Sequence, residues 1–83
     1  MFFVYILESE FVERYYVGSA EDVNERLEVH NGSKAKWTKR YQPWDIVHTE
    51  SFETRGEAVK RERALKRLKN IGRYLDKIRR REM

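Results

Sequence analysis

Six consecutive residues near the start of the chain, Phe2-Phe3-Val4-Tyr5-Ile6-Leu7, leave few choices of fold, because every one is apolar or aromatic. β-Branched and aromatic residues crowded into so short a run predict a strand. Alternation puts Phe3, Tyr5 and Leu7 on one face and Phe2, Val4 and Ile6 on the other. Both faces are apolar, so this strand is expected at the centre of a sheet, covered on both sides. A chain of 83 residues has room for one domain with one modest core. It has no room for a deep cavity holding an organic cofactor. The apolar run is too short to span a membrane, lacks a basic flank and meets Glu8 at once, so neither a membrane anchor nor a signal-peptide layout is expected.

Glu8 to Glu13 reads as a connection, and Arg14 to Ser19 as a second strand closing a hairpin with the first. Asp22 followed by Glu25 is a capping-box arrangement that opens a helix, which Asn31-Gly32-Ser33 ends. Val23, Leu27 and His30 recur on one face of it, with Arg26 beside them. Lys34 to Pro43 reads as basic and irregular, and Trp44 to Phe52 as a third strand. Thr54 and Glu57 form another capping box, opening a helix to about Lys69 whose inward stripe is Ala58, Leu65 and Leu68. Asn70-Ile71-Gly72 is expected to break it before a last basic helix over 73–81. The order β-β-α-β-α-α predicts an α+β domain spanning 1–83, with a small three-stranded antiparallel sheet flanked by helices. No repeat or linker divides it.

The chain contains no cysteine, which excludes disulfide frameworks, thiolate metal sites and cysteine nucleophiles. A small secreted domain often needs disulfides, so a reducing, cytoplasmic setting is expected. Charge is uneven. Residues 1–31 carry a balance of −5 and residues 32–83 a balance of +9, within a net charge of +4. A basic half on a small domain suggests a polyanionic partner, with nucleic acid ahead of an anionic membrane. A solvated basic surface is the plainer alternative.

Several residues sit oddly for packing alone. Arg26 shares its helix face with apolar neighbours, although a snorkelling side chain would also explain it. Glu62 lies four residues past Ala58, at the margin of the inward stripe, where an i,i+4 pair with Lys66 would suffice. Tyr5 and Tyr16 are in strands, where tyrosines are usually packing residues. His30 alone is more often structural than functional. Only their joint spacing points further.

That spacing resembles the GIY-YIG nuclease family. Phe3-Val4-Tyr5 stands where the first tripeptide belongs and Tyr16-Val17-Gly18 where the second does, with ten residues between Tyr5 and Tyr16. Arg26 follows Gly18 by eight residues, and His30 follows Arg26 by four. Glu62, within Lys60-Arg61-Glu62-Arg63-Ala64-Leu65-Lys66, is similar to the helix segment carrying the family's metal-binding glutamate. Thr38-Lys39-Arg40 and Pro43-Trp44 resemble small stand-alone bacterial members related to the excision-repair endonuclease subunit. The likeness covers about residues 2–69. The first tripeptide keeps only its tyrosine, and Asn70 is the sole candidate for an asparagine that larger members carry beyond the glutamate.

The resemblance implies a metal-dependent endonuclease acting on DNA, with RNA not excluded, and a link to repair or recombination. Glu62 would hold one divalent ion, Mg²⁺ or Mn²⁺, with water and phosphate completing its shell. Arg26 would clamp the scissile phosphate, and Tyr5 and Tyr16 would position or deprotonate the attacking water, with His30 assisting. Tyrosine ordinarily titrates near 10, so a basic role calls for a neighbouring cation. Lys34, Lys36, Lys39 and Arg40 offer cations to backbone phosphates, with Trp37 and Tyr41 available to stack on bases. Base-specific readout is not expected without a recognition helix, so structure-directed cutting fits better. A non-catalytic nucleic-acid-binding module and a protein-interaction domain are the competing readings. Which tyrosine is the base, and the oligomeric state, stay open.

Overall fold

The apolar run forms strand β1 (Phe2–Ser9), the middle member of a three-stranded antiparallel sheet of order β2-β1-β3. Strand β2 (Tyr15–Ala20) returns beside it and β3 (Trp44–Phe52) lies on its other edge. Helix α1 (Val23–Asn31) follows β2, and α2 (Arg55–Lys66) and α3 (Ile71–Glu82) follow β3. The computed structural model describes residues 1–82, apart from the side chains of Trp37, Arg80, Arg81 and Glu82. The stacking expected of Trp37, and most of the Arg79–Arg81 cluster, therefore lie outside the described residues.

Alternation along β1 divides the core in two. Val4 and Ile6 pack with Val17, Ala58, Leu65 and Leu75 under α2 and α3. Tyr5 and Leu7 pack with Trp44 on the opposite face, against Val23 and Leu27 of α1. Val4, Tyr5, Ile6 and Leu7 are at most 1 % exposed, as a central strand covered on both sides requires. Among the described residues no helix is long and apolar enough to cross a membrane.

Strand β3 departs from simple alternation. Ile6 pairs with His48 but Leu7 pairs with Ile46, so Val47 is an extra residue, a β-bulge. Trp44 and Ile46 consequently face α1, whereas Val47 and Phe52 face α2 and α3.

Both expected N-caps form, with Asp22 accepting from the Glu25 amide at 3.0 Å and Thr54 from the Glu57 amide at 3.2 Å. Three local expectations need correction. Helix α2 stops at Lys66 because its last turn closes with tighter amide bonds, Arg67 to Ala64 and Leu68 to Leu65. Leu68 thus leaves the inward stripe and is 40 % exposed. Asn70-Ile71-Gly72 does not separate the helices as a block: the Asn70 carboxamide accepts from the Arg73 amide at 2.9 Å and caps α3, which begins at Ile71. The basic segment after α1 contains a short 3₁₀ helix, Trp37–Tyr41.

Candidate active site

Tyr5 and Gly18 are paired across β1 and β2. With no side chain at Gly18, the Tyr5 ring lies over its backbone and carries the hydroxyl towards the outer strand β2. An added Cβ there would stand 2.5 Å from Tyr5 Oη. No glycine here has a positive φ. Gly18 therefore serves the close approach of a ring, rather than a sharp turn.

Two groups of α1 converge on that hydroxyl, and one of them is backed by the segment after α1. His30 Nε2 lies 3.5 Å from Tyr5 Oη, and its Nδ1 lies 3.3 Å from Thr38 Oγ1. The Arg26 guanidinium also acts on the Tyr5 hydroxyl, favouring loss of its proton and opposing burial. Tyr16 stacks near both, its ring centre 4.3 Å from that of His30 and 6.2 Å from that of Tyr5.

Local hydrogen bonds hold this arrangement in place. The Gln42 amide donates to the carbonyls of His30 and Gly32 at 2.8 and 2.7 Å, satisfying groups at the end of α1. Asn31 accepts from the Trp44 amide at 2.7 Å and donates to its carbonyl at 3.1 Å, which ties α1 to the start of β3. The Trp44 indole donates to the Thr38 carbonyl at 2.8 Å, fixing the residue that faces His30.

Burial sets the protonation of the pair. It is the largest influence on Tyr5 and raises its pKa. Arg26 pulls the other way without prevailing, so the phenol keeps its proton above the ordinary range. Burial, aided by the Arg26 charge, lowers His30 below its ordinary value and keeps the imidazole neutral. A neutral imidazole beside a protonated phenol can accept that phenol's proton.

Glu62 comes from α2, on the other side of the sheet, and meets β2 at Ser19. Ser19 donates to Glu62 at 2.7 Å, and the Lys66 ammonium lies 2.6 Å from the second carboxylate oxygen. The i,i+4 pair expected from spacing therefore forms, alongside a long-range contact that spacing did not show. Burial tends to raise the Glu62 pKa, but the hydrogen bonds from Lys66 and Ser19 outweigh it and hold the carboxyl below the ordinary value. The carboxylate charge is the smallest of the influences on Tyr5 and raises its pKa.

The remaining cations divide. Lys34 and Lys36 line a cleft with Tyr16, Arg26, His30 and Thr38. Lys39 and Arg40 sit exposed on the last turn of the 3₁₀ helix and do not line that cleft. Tyr41, expected to be available for stacking, instead packs edge-on against Trp44 at 6.2 Å under the Arg14 guanidinium. The Asn70 side chain is used in capping α3. Two site residues escaped the sequence reading, Ser19 and the Thr38 hydroxyl. Strand alternation, which sends Ser19 to the face opposite Gly18, was the signal for the first.

Comparison with known proteins bears on the family and the fold. The family described as the GIY-YIG catalytic domain matches residues 1–74. UPF0213 proteins of Staphylococcus aureus strains Mu3 and N315 are each 46 % identical over 65 residues, covering 77 % of this chain and 78 % of theirs. The solution NMR structure of a UPF0213 protein from Bacillus halodurans superposes with a TM-score of 0.53 at 32 % identity, over 94 % of this chain and 82 % of that one.

Proposed function

This chain belongs to the GIY-YIG family, and on that premise we propose that it is a metal-dependent endonuclease that hydrolyses phosphodiester bonds in DNA. The observation that carries the reading is the convergence of Tyr5, Arg26 and His30 at the β2 edge, where Glu62 arrives from the opposite face. Packing would not require a guanidinium and a neutral imidazole to act on one buried phenol while an ionised carboxylate reaches the same edge strand from the other face.

Glu62 is a fitting ligand for a hard divalent ion. It is held ionised and already carries one cation, the Lys66 ammonium. Among the described residues no three His, Asp or Glu side chains cluster to hold a metal. A single protein carboxylate suits Mg²⁺, which keeps several waters and shares its shell with phosphate oxygens. Such an ion would supply charge neutralisation on the phosphate and a more acidic water.

The protein's own groups account for the rest. Arg26 offers a fork of donors to the phosphate oxygens as negative charge builds. Tyr5 is too weak an acid in its buried site to wait as a free phenolate, so the geometry favours a relay. As Tyr5 Oη takes a proton from the attacking water, it passes its own to His30 Nε2. Thr38 faces Nδ1, and accepting from that nitrogen would leave the Nε2 lone pair towards Tyr5. The leaving 3′ oxygen takes its proton from solvent. Lys34 and Lys36 would hold phosphates beside the scissile one.

The test is cleavage of labelled duplex, nicked, flapped and single-stranded DNA in Mg²⁺ or Mn²⁺, with EDTA and Glu62→Ala controls. The expected result is metal-dependent cutting that Glu62→Ala abolishes. The occupation of Glu62 by Lys66 favours a second reading, a module that binds nucleic acid without cutting it. Salt-dependent binding without cleavage of any substrate, unchanged in Glu62→Ala, would establish that reading instead.

A further inference from the structure

We infer that the outer face of α2 is a second binding surface for a nucleic-acid backbone, holding the strand on the side of Glu62 away from the Lys34–Lys36 cleft. This deepens the proposed function by assigning where the substrate lies. A groove along α2 is lined by Arg55, Gly56, Val59, Lys60, Arg63 and Arg67, with four cations and no acid among them. Among the described residues, the ion pairs of α2 belong to Arg61 and Lys66. Lys60, Arg63 and Arg67 thus face solvent with no carboxylate in salt-bridge contact, and Arg55 lies over the Phe2 ring.

The placement distinguishes this stripe from an ordinary solvated helix face. Arg55 and Val59 also line an adjoining groove with Ser19, Ala20 and Glu21. Ser19 is the residue that donates to Glu62. The basic groove therefore leads across Arg55 and Ser19 to the candidate metal ligand, and Arg63 acts on the Glu62 carboxylate directly. Beyond β2 lies the cleft of Arg26, Lys34 and Lys36. Cationic surfaces flank the site on both sides, and a strand crossing the β2 edge would meet each in turn. From Arg55 to Arg67 the helix runs about 18 Å at ~1.5 Å per residue. Measured along a duplex axis, where each strand presents a phosphate about every 3.4 Å, that length covers roughly five base-pair steps. Charge complementarity, with a linear spacing of four cations and Val59 as the one apolar side chain in the lining, selects a polyanionic backbone over a folded protein partner.

The test measures binding of a fluorescein-labelled DNA duplex by anisotropy in EDTA, across a NaCl series. It compares wild type, the triple variant Lys60→Gln/Arg63→Gln/Arg67→Gln, and an α3 control with the same charge loss, Arg73→Gln/Lys77→Gln/Arg79→Gln. Circular dichroism confirms that each is folded. Each phosphate contact contributes about 0.9 to the slope of log K against log salt. The α2 triple is expected to lose roughly 2 to 3 from that slope, and the control clearly less. Equal losses in both triples would show dependence on net charge alone and overturn the assignment, as would a wild type that does not bind. Cleavage is scored separately, so an active nuclease whose slope is untouched by the α2 triple rejects this surface and leaves the nuclease reading standing.

Discussion

At Gly18 an alanine would bring its Cβ 2.5 Å from Tyr5 Oη, 2.7 Å from Cζ and 3.0 Å from Tyr16 Cε1. Tyr5 is only 1 % exposed, so its ring has little room to yield. Gly18→Ala is expected to cost about 1–3 kcal/mol in denaturant unfolding, as overpacking does. It should also cut cleavage about 100-fold, because displacing the hydroxyl separates it from Arg26 and His30. Intact activity in a folded Gly18→Ala protein would remove Tyr5 from the chemistry. His30 adds a pH dependence whose sign follows from burial. The unfolded imidazole takes up a proton near its ordinary 6.5, while the folded one resists it. Below that pH the unfolded chain binds more protons, so stability falls as pH drops through and below 6.5. Unfolding titrations of wild type and His30→Gln should show that slope in the first and a flatter course in the second.

At the level of elements, the capping boxes explain why helix starts were readable. Asp22 and Thr54 each have a glutamate three residues on, and both caps form as written. Asn70 has Arg73 in that position, so it read as part of a break, although its side chain caps α3. Asn70→Ala should lower stability by about 0.5–2 kcal/mol in chemical denaturation and leave cleavage unchanged. A cleavage defect without loss of stability would instead give Asn70 a part in the site. The bulge at Val47 was not legible for a different reason. An extra residue in one strand depends on its partner's register, and alternation read along a single strand carries no information about it. Motif spacing placed Tyr5, Tyr16, Arg26, His30 and Glu62 in order. The hydrogen bond joining Ser19 to Glu62 spans 43 residues, and only the packing of α2 against β2 creates it.

For the molecule as a whole, a network on the face opposite Tyr5 joins three elements. Arg61 donates to both Glu50 oxygens, at 2.8 and 3.2 Å, and to the Tyr74 hydroxyl at 2.7 Å, while His48 lies 2.8 Å from Glu50. It binds α2 and α3 to β3, and the bulge is what turns His48 and Glu50 towards them. Burial would raise Glu50, but Arg61 and His48 outweigh it and depress its pKa below the ordinary 4.5. A depressed carboxylate contributes stability that is present above that value and lost as pH falls through the folded pKa. Arg61→Met removes the main partner and leaves Glu50, 23 % exposed, underserved. The expected loss is about 1–3 kcal/mol, short of a fully buried pair because Arg61 is itself 35 % exposed. The difference between wild type and Arg61→Met should be largest above pH 4.5 and shrink as Glu50 is protonated in both. Since Tyr5 and His30 lie across the sheet from this network, cleavage below the unfolding transition should survive. A variant that stays stable but stops cutting would mean that the seating of α2, and with it Glu62 against Ser19, depends on Arg61 more closely than the two-faced core implies.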